Sequence, residues 1–366
     1  MGLGILITVN NEADQNLTGM VSTVEVVEKM DLPTTYKIRF MVDICDENIA
    51  QDLEKPTAPD AILGVLADVS DELSCLVSGP VTKQEAYLEE GGAGSWLEVE
   101  GTDSSTLMDR EQNIQSQTGK DSAIVESILN PKYVQDTDIK TTDGEHSEDK
   151  HTVVQKETDL SFVKKLAQRN GYHFWITYDE DGNATGHFKP RSLQGTPDAD
   201  LLVNLPKSTI ENLQIKWDIN RPTQSKGSQV DQNTKKIIGG KVDLKNVETL
   251  GQDGINTIVG KSPTTTKISP PVDDGASLDT RNKAVLDEAQ WFISASCKTT
   301  TSKLCKLVRV HTIINIQGLG ERHSGKYYVT GVKHTIDAAA HTMDIDLERN
   351  AWGTEINTNG NKTTLF

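Results

Sequence analysis

The sequence lacks an apolar run that could cross a bilayer. The longest one near the start, Leu3 to Val9, is broken by Gly4 and has no basic flank, which argues against membrane insertion and against a signal peptide. Cysteine is scarce. Cys45, Cys75, Cys297 and Cys305 show neither CxxC spacing nor paired histidines, so free, partly buried thiols in a reducing cytoplasm are expected rather than a zinc site. Positive charge is also short: 37 Lys plus Arg stand against 54 Asp plus Glu, a formal net charge of -17. That balance argues against specific nucleic-acid binding through phosphate neutralisation. The acidity has two open readings: plain solubility, or a lumen past which DNA or an acidic cargo slides without sticking.

Catalytic signatures are missing too. Val259-Gly260-Lys261-Ser262 looks like the end of a phosphate-cradling loop, but the loop's first glycine would have to sit at Ile255. Gly254 is one position too far, and Pro263-Thr264 begin no periodic helix. The eight histidines, His146, His151, His173, His187, His311, His323, His334 and His341, show no metal-ligand spacing and no HExxH. His173 and His187 could approach across a hairpin, yet no third ligand is evident, so hydrogen-bonded structural histidines are expected. Gly94-Ser95-Trp96 lacks the glycine that would complete a nucleophile elbow. Asp179 and Asp181 sit where a hairpin turn favours Asp for backbone reasons, rather than in a calcium loop or a glycosidase pair. No catalytic, cofactor-binding or metal-ligating residue is therefore assigned.

With 366 residues the chain should hold two or three domains. Residues 3–9, 20–29, 35–44, 61–69, 73–84 and 96–100 read as six closely spaced strands, which suggests a small barrel with a mobile hairpin tip at Glu89 to Ser95. Asp121-Ser122 should cap a helix containing Ile124, Val125, Ile128 and Leu129 and ended by Asn130-Pro131. Asp136 to Lys150 reads as an acidic, structureless loop.

Every local signal agrees in the stretch from His151 to Phe188. Glu157-Thr158-Asp159 supply a cap and an acidic first turn for a helix whose apolar residues are Leu160, Val163, Leu166 and Ala167. Gly171 is placed to end it in the left-handed conformation. A strand from Tyr172 to Tyr178 follows, and Asp179 to Asn183 turn it back through His187 and Phe188. The aromatics Tyr172, Phe174, Trp175 and Tyr178 could form a sugar-binding platform, but a packing face between hairpin and helix is the favoured reading.

Beyond it, Ser208 to Trp217 has strand composition, and a polar segment from Asn220 to about Lys241 follows. Pro263, Pro270 and Pro271 mark a linker. Ser277 or Asp279 opens a helix with Leu278, Val285, Ala289, Phe292 and Ile293 on one side. Leu304 to Ile316 reads as a long strand or pair of strands, Gly318 to Gly325 as a turn, and Tyr327 to His334 with Thr342 to Arg349 as a hairpin.

The spacing E-T-D-L-x-F from Glu157, then L-A-x-R-x-G-Y-x-F through Phe174, preceded by His151 and Gln155, resembles the phage late-control D family. So does the C-terminal H-S-G-K-Y-Y-V-T-G-V-x-H-x-I-D from His323, followed by L-x-R-N-A from Leu347. These are hub proteins at the base of contractile phage tails and related injection machines, similar to the N-terminal hub region of type VI VgrG spikes. In relatives a segment like 220–241, usually with an aromatic before its Asp, returns to the first barrel. That aromatic is missing before Asp231. Leu76 to Val81 and Tyr328 to Val332 also echo one another.

The resemblance implies a mainly β chain with an α+β insert and two small β-barrel domains, forming a homotrimeric ring with pseudo-sixfold symmetry. The corresponding layout is a first β-barrel at 1–104, a helix-hairpin insert at 105–204, a return to the first barrel at 205–245, a linker at 246–276, a second β-barrel at 277–353, and a polar tail at 354–366. The expected partners are further copies of the chain, a separate spike protein, an inner tube or tube-initiator protein, and other baseplate components. The implied role is a non-enzymatic structural hub, without cofactors, assembled in the bacterial cytoplasm and carried in a virion or phage-tail-like particle. The alternatives are a tail-associated cell-wall or polysaccharide hydrolase and a monomeric carbohydrate-binding module.

Overall fold

The computed structural model describes residues 4–42, 53–70, 72–90, 94–148, 152–204, 206–230, 235–244, 247–260, 263–270, 272 and 275–354. The chain is mainly β with a few helices. It divides into two compact units, one made of Met1–Arg191, Thr300–Val310 and Gly331–Asp344, the other of Ser192–Thr299, His311–Thr330 and Ile345–Phe366.

In the first unit, β-branched residues concentrate in strands whose burial alternates with period two. Along Thr35–Met41, Tyr36, Ile38 and Phe40 are buried, while Lys37 and Arg39 on the opposite face pair with Glu98. Antiparallel pairing runs from Val21–Lys29 through Thr35–Met41, Trp96–Thr102, Glu72–Tyr87 and Ile62–Val69 to Ile5–Val9. Gly331–Ile336 joins beside Val21–Lys29. The expected strands are present, but among the described residues their order is open and does not close into a barrel. One core threads these strands, including Val24, Val26, Ile38, Phe40, Leu63, Val77 and Val99. The Tyr36 ring fits only because residue 101 is glycine: a Cβ there would lie 2.1 Å from the ring. Its hydroxyl donates to the Gly79 carbonyl at 3.0 Å.

The helical part of this unit has its own core, built on helices Asp121–Leu129 and Asp159–Asn170 and the hairpin His173–Tyr178 with Ala184–Lys189. The segment expected to be structureless contains a strand, Asp136–Ile139, pairing parallel with Ala184–Lys189, and a short one, Glu145–His146, pairing with Gly119–Lys120. Asp136 and Asp138 alternate outward against Thr137 and Ile139, so acidity masked a period-two pattern. Gly91–Ala93 and His151 lie outside the described residues.

In the second unit, Ile210–Trp217 pairs antiparallel with Ile293–Thr300, and Ala199–Leu202 pairs parallel with Ile313–Gln317. The polar stretch after Asn220 forms strands Gln224–Val230 and Ile237–Asp243, which pair with each other, and Thr265–Ile268 completes a three-stranded sheet. Helix Gly275–Ala289 packs on that sheet through Leu278 and Asn282. It starts earlier than expected and its face is rotated: Asn282, Ala284 and Leu286 are buried, whereas Val285 is exposed. Asn282 is drawn inward because Ser225 Oγ donates to its Oδ1 at 2.6 Å. Nor is there a long strand from Leu304. Thr301–Leu304, which lies in the first unit, is a helical turn, and Cys305 and His311 take φ of 55° and 70°, which interrupt extended backbone. The 318–325 turn holds a further helical turn, Gly320–His323.

Candidate functional site

The helix–hairpin stretch is built as its residues predict. Thr158 caps helix Asp159–Asn170 through its hydroxyl, which accepts from Ser161 N, and Gly171 closes the helix at φ 69°. Asp159 is buried at the helix N-terminus. It accepts from Gln155 Nε2 at 2.7 Å, Asn113 Nδ2 and Tyr133 Oη at 2.8 Å, and Lys132 Nζ at 3.0 Å. Burial opposes its ionisation, but hydrogen bonds from Gln155, Tyr133, Lys132 and Asn113 outweigh it and hold the carboxyl below the usual range.

Asp121 does not cap its helix. Lys120 holds that position without a side-chain bond, and the buried Asp121 carboxylate accepts instead from Arg169 Nε and Asn170 Nδ2, each at 2.6 Å, with His146 Nε2 at 3.0 Å. The C-terminal end of one helix thus grips the first residue of the other.

The C-terminal motif has the same character. Arg349 is fully buried and donates from Nη2 to Leu250 O and from Nη1 to Ser324 O, both at 3.0 Å. Asn350 accepts from Leu250 N at 2.8 Å and donates to Glu248 O at 3.0 Å. The residues that carried both motifs are anchors that hold one chain segment against another.

The remaining candidates are also engaged in packing. The aromatics form a packing cluster: Tyr172 meets Phe188 edge-on at 5.3 Å, Trp175 stacks on His187 at 4.8 Å, and Phe174 is buried. Tyr178 Oη accepts from Ser104 N at 2.8 Å, and burial raises its phenol well above the ordinary value. His173 and His187 turn to different partners, Nδ1 of His173 to Asp31 at 2.9 Å and Nε2 of His187 to Thr177 at 2.7 Å. Ser95 is buried and its hydroxyl accepts from Glu89 N. Asp179 accepts from the Asp181 and Asn183 amides, an Asx turn that accounts for its position. Burial pushes the Cys75 thiol up to about 11; Cys297 is buried and Cys305 exposed. Cys45, Lys261 and Ser262 lie outside the described residues.

One cluster went unforeseen. Glu28 is buried in Val21–Lys29, with Arg309 Nε at 2.7 Å in an ion pair and His334 Nε2 at 3.5 Å. Arg309 also donates to the carbonyls of Cys75 and Leu76. His334 Nδ1 lies 3.0 Å from His341 Nε2. Burial works against the Glu28 charge, yet Arg309 and His334 together hold its carboxyl below the usual range. Burial and then His334 push His341 down to about 3, so His341 stays neutral and can accept. No local spacing could have indicated this cluster, because its members come from opposite ends of the sequence.

Two clefts, of about 160 Å³ around Thr249, Asn256 and Gln290 and about 250 Å³ around Lys120, Glu126 and Thr141, fall below the roughly 300 Å³ at which ligand pockets begin. Among the described residues no group of three or more His, Cys, Asp or Glu could hold a metal ion, and no helix is long and apolar enough to cross a membrane.

No protein-family model matches the chain, and no curated protein matches it by sequence. Solved structures do. A tail protein from Neisseria meningitidis MC58 superposes with a TM-score of 0.66 at 10% identity, over 95% of this chain and 97% of that one. This is a phage tail-protein fold. The 43 kDa tail protein of prophage MuSo2 from Shewanella oneidensis shares the fold with a TM-score of 0.66 at 13% identity, over 95% and 98% of the two chains. So does the E. coli c3393 protein, a component of the type VI secretion system with structural similarity to the T4 tail proteins gp27 and gp5. Its TM-score is 0.56 at 15% identity, over 95% of this chain and 78% of that one. The tail-protein fold is thus matched along nearly the whole chain.

Proposed function

We propose that the chain is a structural baseplate hub of a contractile injection machine, a phage tail or a phage-tail-like system, which adapts a trimeric spike to a hexameric inner tube. The observation that carries this reading is the end-to-end correspondence with tail proteins, covering 95% of this chain and 97% of the Neisseria protein. Both motifs support it, since Asp159 and Arg349 serve as anchors of the fold. The two compact units are the candidates for the two ring-forming domains. Three copies with two similar units each present six roughly equivalent positions, which would match a threefold partner on one face and a sixfold partner on the other. The ring would be a homotrimer in the baseplate of the particle, in contact with spike, tube and neighbouring baseplate proteins, and would act without catalysis.

Light scattering of the purified chain tests the reading: a mass of three protomers that binds a trimeric β-helical spike supports it. A monomer at all concentrations that clears peptidoglycan in a zymogram would replace it with the hydrolase reading.

A further inference from the structure

Among the strand edges of the described structure that have no strand beside them, two carry complementary charges. Ile210–Trp217 is the last strand of its sheet and pairs on one side only, with Ile293–Thr300. The long strand Glu72–Tyr87 changes partners along its length. Residues 72–80 pair with Ile62–Val69 and stop at Pro80, while residues 83–87 pair with Trp96–Thr102 and have no described strand on the other side. Residues 82–87 are exposed on both faces. Unprotected edges of this kind are templates for pairing with another chain.

We propose that copies of this chain join edge to edge, the free side of Ile210–Trp217 in one copy pairing antiparallel with residues 82–87 of the next. This rests on the trimeric hub reading and names the surfaces that would build the ring. Charge selects the register. Setting Lys216 opposite Glu85 brings Asp218 opposite Lys83, two opposite-charge pairs on one face, with Gln214 beside Tyr87. The other face then sets the half-exposed Trp217 against Gln84 and the half-buried Ile215 against Ala86. Sliding by two residues one way puts Lys216 on Lys83; sliding the other way puts Asp218 on Glu85. Both oppose like charges. A one-residue slip mixes the two faces, and a parallel arrangement keeps only one of the two ion pairs. Lys83 is held by Glu100 at 3.3 Å but remains three-quarters exposed, so it can still reach a partner. Because the two edges differ, the contact is head-to-tail, the type that closes into a ring when the rotation allows.

Cysteine cross-linking tests this on the full chain in a Cys45→Ser/Cys305→Ser background, which removes the exposed thiol among the described residues together with Cys45. The double variant Lys216→Cys/Glu85→Cys should oxidise to a covalent trimer on a non-reducing gel. Neither single variant should cross-link alone, and mixing the two should give a covalent dimer. Separately, Lys216→Glu should raise the midpoint concentration for trimer formation roughly ten-fold, and adding Glu85→Lys should restore it. A trimer that neither cross-links nor responds to the charge swap overturns the edge pairing and leaves the hub reading standing. Dimers from a single-cysteine variant overturn it in favour of a twofold contact. A chain that never trimerises removes both.

Discussion

Asp159 and Glu28 are both buried carboxylates held below the usual range, but they are satisfied in opposite ways. Asp159 sits at a helix N-terminus and takes four donors, one of them Gln155 just four residues earlier. Glu28 sits in a strand and relies on Arg309 and His334, brought to it only by the completed first unit. The first arrangement is a local device that tertiary contacts reinforce. The second exists only when the unit is whole. Their difference separates what local sequence dictates from what the assembled fold imposes, and substitutions at the two sites should differ in size accordingly.

The largest effect is expected at Glu28. Glu28→Ala removes the carboxylate that Arg309 faces at 2.7 Å and His334 at 3.5 Å, and breaking a buried pair in this way costs about 3–5 kcal/mol. The unfolding free energy of the purified chain, from denaturant titration, should fall by that amount; an unchanged value would mean that the Arg309 guanidinium recovers water. Asp159→Ala should cost less, about 2–3 kcal/mol, because Lys132 is largely exposed and can turn to solvent whereas the buried Gln155 cannot. Equal losses at the two sites would erase the distinction between the local and the assembled arrangement.

The same distinction explains what was legible in the sequence. The helix Asp159–Asn170, its cap, its glycine stop and the following hairpin could be read because each signal lies within a few residues of its effect. The strand composition of Ile210–Trp217 was equally plain. The strand Asp136–Ile139 was hidden because its pattern is carried by Asp and Thr, and its partner is a strand from beyond the next helix. Leu304 to Ile316 looked extended because positive φ at Cys305 and His311 has no marker in residue types that usually avoid it. Asn282 looked like a surface residue because the hydroxyl that buries it, Ser225, lies in another element. The motif residues were found, but their roles as anchors emerged only with their partners.

Acid should sharpen the contrast next. His341 is pushed down to about 3 in the folded chain, first by burial and then by His334, whereas an unfolded histidine titrates near 6.5. Below about pH 6.5 the unfolded chain binds a proton that the folded chain refuses. The stability from this site is therefore complete above that pH and is lost as pH falls, by about 1.4 kcal/mol per unit. Between pH 6.5 and 5 the loss should reach about 2 kcal/mol, read as a falling denaturant midpoint, and His341→Gln should flatten it. Asp159 acts only at lower pH, where its depressed carboxyl finally protonates, so Asp159→Asn should leave the slope above pH 5 untouched. A slope that survives His341→Gln would assign the acid response to another group.

The smallest effect compares two helix ends. Gly171 closes Asp159–Asn170 at φ 69°, and Cys305 closes Thr301–Leu304 at φ 55°. Both are left-handed, a conformation that strains any residue carrying a Cβ but not glycine. The substitutions should then have opposite signs. Gly171→Ala should lower stability by about 1 kcal/mol, and Gly171→Asn by less, because asparagine tolerates this region. Cys305→Gly should raise stability by about 0.5 kcal/mol, relief of the same strain reduced by glycine's greater freedom in the unfolded chain. If both substitutions destabilise, the helical turn at Thr301 is held by contacts of the Cys305 side chain rather than by its backbone. The left-handed ends would then differ in kind, as the two carboxylates do.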